Sequence, residues 1–333
     1  MFRLLTALFL ALASLAPAQT IGIAITESNA NNYDADVNQA LRAGATITSL
    51  TLFWDEAMQG NTYAPELDWP SIANSYYPSK NMGLVLSLAV IDTVADRRPE
   101  ALRALPFDDP RVISAFIAYA TEVLSRLEDT NLVTISIGNE VDGVLTTAQS
   151  WDEFSNFFKA AKAAVQAIRP GAPIGFTTQW HAFQGPHRTS ALEANTTADA
   201  IFINYYPLDS GFHVLPPEGI ATQLDGMIAM AAGKPVFLTE TGYPSGGCGA
   251  SEALQTQYFQ ELFSALETRK AEIPLTMLVW LHDRPAEELA FYNEYYGVSN
   301  PCFSSYLGTL GLRSHTGQNK PAFTWLIQQY QTH

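Results

Sequence analysis

Two short segments each bring a glutamate to the end of an apolar run. Residues 135–142, ISIGNEVD, place Asn139 and Glu140 there, and residues 236–245, VFLTETGYPS, place Glu240 there. A pair of facing carboxyls can divide labour: one, held protonated, gives its proton to a leaving oxygen while the other, ionised, attacks carbon. That pairing suits cleavage of an acetal of the glycosidic kind. A carboxyl separation of about 5–5.5 Å sets a retaining, double-displacement course, whereas about 6.5–9.5 Å leaves room for a water and inverts. The two environments have to differ, so that one group is protonated and the other ionised at working pH. A single strand-end glutamate is better read as a helix cap or a partner for a cation. Here both occur, with an asparagine before the first, and that conjunction marks a functional site.

The elements that have to position this pair are legible as alternating strand and helix signals. Apolar runs at 21–26, 46–53, 83–91, 133–138, 173–178, 200–205, 235–239 and 275–281 lack polar alternation, as parallel strands buried on both faces do. Between them lie amphipathic stretches. Asp109-Pro110 predicts an N-cap followed by proline in the first turn, and Ser150 with Glu153 predicts a capping box. Helical patterns also cover 36–42, 218–232, 252–269 and 320–331; the helix after strand five has the faintest pattern. Eight strands alternating with helices predict an α/β chain folded as a single (β/α)8 TIM barrel. Active sites of such barrels lie at the C-terminal strand ends. Strands four and seven therefore deliver Glu140 and Glu240 to one mouth. Strand six ends in INYYP (203–207) and strand eight in VWLHD (279–283).

On these motifs the chain resembles the glycoside hydrolases of clan A. NYYP and ETGYP are similar to family 53 endo-β-1,4-galactanases, and ETG with the following Pro-Ser is similar to family 17 β-1,3-glucanases. The resemblance implies Glu140 as acid/base, Glu240 as nucleophile, and Asn139 as the partner of a sugar 2-hydroxyl. It further implies Tyr206 as a hydrogen-bond donor to the nucleophile and Trp280 as the floor of the central sugar subsite. One departure stands out: strand two, LTLFWD (50–55), lacks the basic residue that many clan members carry near its end.

Composition narrows the partners. Lys and Arg total 18 against 33 acidic residues, a formal charge of −15, which repels a phosphate backbone and excludes nucleic acid as partner. A neutral polysaccharide or oligosaccharide meets no such barrier. Trp54, Trp180 and Trp280 end or follow strands and are candidate sugar platforms, although a tryptophan is more often core. Tyr33 and the Tyr-, Asn- and Ser-rich stretch 293–306 are further cleft candidates. The histidines show no ligand spacing, so no metal and no cofactor is expected. His282 and Asp283 fit the cleft or the support of its rim, and Asn195-Thr196-Thr197 is a sequon meaningful in a glycosylating host. Arg3, the apolar stretch 4–15 and Ala16-Pro17-Ala18 read as a signal peptide over 1–18. The catalytic barrel would then span 19–333 as a monomer, secreted to an extracellular or periplasmic space, with no membrane attachment after cleavage. Export makes a Cys248–Cys302 disulfide joining the loops after strands seven and eight the favoured state of the two cysteines. A non-catalytic carbohydrate-binding barrel and a transglycosylase remain alternatives on the same residues.

Overall fold

The computed structural model describes residues 19–59 and 62–331; the expected leader, 1–18, lies outside the described residues. The predicted strands all form and lie parallel in one sheet. Strand one is Thr20–Ile23, two Ile47–Phe53, three Gly83–Asp92 and four Leu132–Asn139; six is Ile201–Tyr205, seven Val236–Thr241 and eight Leu275–Leu278. Strand five is split. Ile174–Gly175 pairs with strand four and Thr177–Gln179 with strand six, so its two halves close the sheet on itself. The chain is a single (β/α)8 barrel.

Both faces of the strands are buried, which is why their sequences do not alternate with polar residues. Inward, Ile47, Val85, Phe202, Phe237, Leu275 and Met277 plug the barrel floor. Outward, Leu86, Ile137, Ile203 and Leu238 meet helix residues such as Phe116, Phe158, Leu224 and Leu262. Each such side chain contributes about 1.5–3 kcal/mol of burial energy.

Helix starts follow side-chain capping. Asp109 accepts from the Arg111 N–H at 2.9 Å and opens Pro110–Ser125 as predicted. Helix Ala148–Ile168 starts earlier than the Ser150–Glu153 pattern implies. Thr147 is the N-cap, its hydroxyl accepting from the Ser150 N–H at 3.0 Å, and the Ser150 hydroxyl accepts from the Thr147 N–H at 3.1 Å. A serine at the third position closes the box, so the glutamate is not needed. The helix after strand five is short, Arg188–Ala194.

The stretch after strand eight differs more. In place of an irregular loop it forms two helices, Ala286–Tyr296 and Pro301–Gly308. The first buries none of its residues completely; Leu289, Tyr292 and Tyr296 lie half-buried against the cluster formed by the second, a stripe too weak to stand out in the sequence. The second packs Phe303, Tyr306 and Leu307 onto Ala24 and Val279. Cys302 in that helix is bonded to Cys248 after strand seven, with Cα atoms 5.5 Å apart, inside the usual range for a disulfide. Among the described residues no helix is long and apolar enough to cross a membrane.

Candidate active site

The end of strand four is shaped by its backbone. Gly138 has φ +98°, and a Cβ there would come within 2.6 Å of Val141. Glu140 itself is left-handed, φ 45° and ψ 49°. A non-glycine residue in that region stores on the order of 1–2 kcal/mol, and such strain gathers where a side chain has to be aimed. Here it turns Glu140 into the barrel mouth. Gly143 lets the chain pass against the Thr93 carbonyl, where a Cβ would collide, and Thr93 is one of the donors to Glu140.

The end of strand seven is shaped by register. Ile203 pairs with Leu238 but Asn204 pairs with Glu240, so Thr239 is the extra residue of a bulge. A bulge re-aims the side chain beside it. Thr239 donates to Asn204 Oδ1 at 2.8 Å, and Glu240 follows onto the same inner face, directly opposite Asn204.

Asn204 lies between the two glutamates. Its Nδ2 donates to Glu140 Oε1 at 3.0 Å, and its strand position pairs with Glu240. Glu140 Oε2 accepts from the Thr93 hydroxyl at 2.8 Å and from Gln179 Nε2 at 2.9 Å. Glu240 Oε2 accepts from the Tyr206 hydroxyl at 2.6 Å. Glu140 is only 9% exposed. Among the described residues neither glutamate has a cationic partner. Arg97, which follows strand three, is committed to Asp55 at 3.1 Å and to Glu56.

Without a cation, burial dominates. Burial raises both carboxyls above the ordinary carboxylate range; Asp142 and Asp92 raise Glu140 further, and Glu140 raises Glu240. The amide and hydroxyl donors work in the opposite direction, Asn204 and Thr93 on Glu140, Tyr206 and Asn204 on Glu240. Two desolvated carboxyls that interact resist ionising together, so ionisation of one favours the proton on the other. Asp142, pushed up to about 6 by burial, accepts from the Gln179 N–H at 2.9 Å and so orients the strand that presents Gln179.

The other sequence candidates separate into two groups. Asn139 sits at the site, its Nδ2 donating to Asp92 Oδ1 at 3.0 Å and its Oδ1 accepting from Asn204 at 3.3 Å. Tyr206 is also there, bonded to Glu240; Trp280 follows strand eight, its ring near parallel to Tyr292 at 6.3 Å with the Arg284 guanidinium 4.2 Å above it.

Trp54 and Trp180 are not platforms. Trp54 is 0% exposed and stacks on Tyr119 at 5.9 Å behind the barrel wall. Trp180 is buried against Phe183, its Nε1 donating to Gln223 at 2.7 Å on the helix Ile220–Ala231. A ring that ends a strand can turn into the helix layer as readily as into the mouth. Tyr33 is spent on the Tyr77 hydroxyl at 2.6 Å. His282 and Asp283 support the rim: His282 is bound to Thr26, and Asp283 pairs with Lys320 at 2.6 Å. The sequon asparagine, Asn195, is buried and donates to the Ala191 carbonyl at 2.9 Å. His213 lies near Cys248 and Cys302, but both sulfurs are committed to the disulfide, so this trio offers no metal set.

Sequence reasoning missed Asn204, Thr93, Gln179 and Asp92. Only Asn204 left a signal. In INYYP it shares the inner face with Tyr206, two residues on, because strand side chains alternate.

Comparison with known proteins bears on the family and the fold. The model of glycosyl hydrolase family 53 matches residues 87–271, a span that holds both glutamates. No curated protein matches the chain. Among solved structures, the exo-β-1,4-mannosidase Op5Man5 from Opitutaceae bacterium strain TAV5 superposes with TM-score 0.73 at 17% identity, covering 96% of this chain and 60% of that one. The chain thus spans about 60% of the length of that mannosidase. GH5_18 from Bifidobacterium longum gives 0.73 at 15% identity, with 95% and 79% coverage. The β-glucuronidase of Ruminococcus gnavus gives 0.63 at 13% identity, with 95% and 50% coverage. At these identities the likeness concerns the fold.

Proposed function

The chain belongs to glycosyl hydrolase family 53 of clan A, a glycoside hydrolase, and from that premise we propose an exported retaining enzyme that cleaves β-linked polysaccharide or oligosaccharide. In this reading Glu140 is the acid/base and Glu240 the nucleophile, the leader is residues 1–18, and the barrel works as a monomer without metal or cofactor. The observation that carries the assignment of roles is the pair of strand-end carboxyls, Glu140 bonded to Asn204 and Glu240 to the Tyr206 hydroxyl.

The steps follow from the contacts. In this reading substrate enters with Glu140 protonated and Glu240 ionised, the Tyr206 hydroxyl donating to it. Glu240 attacks the anomeric carbon while Glu140 gives its proton to the departing glycosidic oxygen, forming a glycosyl ester. A water then enters where the leaving group was. Glu140, now ionised, takes one of its protons as the water oxygen attacks the same carbon, and Glu240 leaves as carboxylate. Its negative charge returns beside the Tyr206 hydroxyl. Asn139, held by Asp92 and Asn204, presents its amide to the 2-hydroxyl of the attacked sugar, and Trp280 lies beneath that sugar.

The test is stereochemical. The first product should keep the anomeric configuration of the bond cleaved. Glu240→Ala should lose hydrolysis and recover turnover with azide, which attacks from the opposite face. Glu140→Ala should lose about 10²–10⁴-fold on poor leaving groups and much less on activated aryl glycosides. An inverted first product, or near-native activity on polymer in either variant, refutes the assignment. Elongated products in place of hydrolysis would identify a transglycosylase, and no turnover a binding protein.

A further inference from the structure

We infer that Tyr295, on the helix after strand eight, is a positioning residue for the 2-hydroxyl of the attacked sugar: through Asp92 it fixes the orientation in which the Asn139 amide meets that hydroxyl. The inference rests on the proposed role of Asn139 and goes beyond it to the residue that holds Asn139 in place.

Helix Ala286–Tyr296 departs from strand eight, yet Tyr295 near its end donates to Asp92 at the end of strand three, at 2.7 Å to Oδ2 and 3.0 Å to the backbone carbonyl. Strands one and two lie between these positions in the barrel. Packing aims the hydroxyl: the Tyr295 ring stacks on Phe291 with centroids 6.0 Å apart and meets Tyr296 edge-on at 5.0 Å. Burial, and then the Asp92 carboxylate, raises the Tyr295 hydroxyl well above the ordinary phenol range, so it stays a donor.

The other Asp92 oxygen, Oδ1, accepts from Asn139 Nδ2 at 3.0 Å, and Asn139 Oδ1 accepts from Asn204 Nδ2 at 3.3 Å. Chemistry at both ends of this chain of contacts fixes which atom donates. A carboxylate only accepts, so the Asn139 atom facing Asp92 has to be its nitrogen. Asn204 presents its own nitrogen because its oxygen is held by the Thr239 hydroxyl at 2.8 Å. Turned the other way, the Asn139 amide would set oxygen against carboxylate and nitrogen against nitrogen. An amide nitrogen carries two hydrogens, so one N–H of Asn139 is left for the sugar.

This orientation matters because hydrogen bonds to the 2-hydroxyl strengthen in the transition state, and misplacing a positioning group by about 1 Å can cost roughly 100-fold in rate. The strand ends themselves do not depend on Tyr295, since the Thr93 N–H donates to the Asn139 carbonyl at 3.0 Å. What Tyr295 governs is the plane of the Asp92 carboxylate. Its hydroxyl holds Oδ2, and Oδ1 on the same rigid group then aligns the Asn139 amide. Without that hydroxyl the carboxylate is free to turn about its side-chain bond, and the amide turns with it.

The experiment uses the full chain with 4-nitrophenyl β-glycosides of galactose, mannose, glucose and xylose and their 1,3- and 1,4-linked disaccharides. For a glycoside that is cleaved, the counterpart lacking the 2-hydroxyl of the attacked sugar completes the pair. Tyr295→Phe keeps the ring and its stacking. It should lower kcat/KM roughly 10–100-fold on the hydroxylated substrate, mostly through kcat, and less than about threefold on the deoxy one. Asp92→Ala, which removes the intermediary, should show the same selective loss, as should Asn139→Ala. Equal loss on both substrates in Tyr295→Phe and Asp92→Ala, or no loss on either, overturns the inference; if Asn139→Ala stays selective, the role of Asn139 stands. Equal loss on both substrates in Asn139→Ala overturns that role and the inference with it. Cleavage of none of these glycosides by the parent overturns the glycosidase reading as well.

Discussion

Replacing Tyr206 with Phe removes one hydroxyl and leaves the ring packed edge-on against Tyr306, so the barrel should fold unchanged. What is lost is a 2.6 Å hydrogen bond to Glu240 Oε2. A hydrogen bond to a charged group is worth about 1.5–3 kcal/mol, which corresponds to a factor of about 10–150 in rate at about 1.4 kcal/mol per decade. The loss should not fall evenly on the two steps. During attack Glu240 gives up negative charge, so the donor stabilises the starting state more than the transition state. During hydrolysis of the glycosyl ester the carboxylate re-forms, and the donor stabilises its departure. Tyr206→Phe should therefore slow deglycosylation most. On an activated 4-nitrophenyl glycoside, kcat should fall by one to two decades and a burst of nitrophenol should appear before the slow steady state. The pH profile gives an independent reading. The Tyr206 hydrogen bond favours ionised Glu240 and lowers its pKa, so removing it raises that pKa. Activity that needs the carboxylate is lost as pH falls through it, so the acid limb should move to higher pH. A kcat within twofold of the parent with an unmoved acid limb, in a variant that melts normally, would refute the role given to Tyr206.

Two further outcomes follow from the packing. Reducing Cys248–Cys302, or replacing both with serine, opens a link across a sequence separation of 54; the chain-entropy relation makes that worth about 4 kcal/mol, to be read by denaturant titration, and a loss under about 1 kcal/mol would show that helix Pro301–Gly308 is held by packing alone. Trp54→Ala empties a fully buried site and should cost about 3–5 kcal/mol while leaving KM for oligosaccharides unchanged, whereas a raised KM with unaltered stability would return Trp54 to the cleft.

Much of this protein is determined locally. The apolar runs specify strands because a β-strand buried on both faces cannot carry polar alternation, and Asp109-Pro110 specifies a helix start because the cap is built from adjacent residues. Strand order then follows from alternation, so the ends of strands four, six, seven and eight, which carry Glu140, Tyr206, Glu240 and Trp280, could be expected at one mouth from sequence alone. Other features depended on tertiary structure because they depend on register or on contacts between distant segments. The Thr239 bulge sets Glu240 opposite Asn204, and no local pattern announces a bulge. Thr93 and Gln179 reach Glu140 from strands three and five, 47 and 39 residues away in sequence. Trp54 and Trp180 looked like platforms because a strand-end ring has two layers to enter, and only packing chooses between them. The two helices after strand eight were hidden for a related reason: Tyr295 bonds Asp92 across 203 residues, and Leu289, Tyr292 and Tyr296 are only half-buried, against the cluster of Phe303, Tyr306 and Leu307 rather than in the barrel wall.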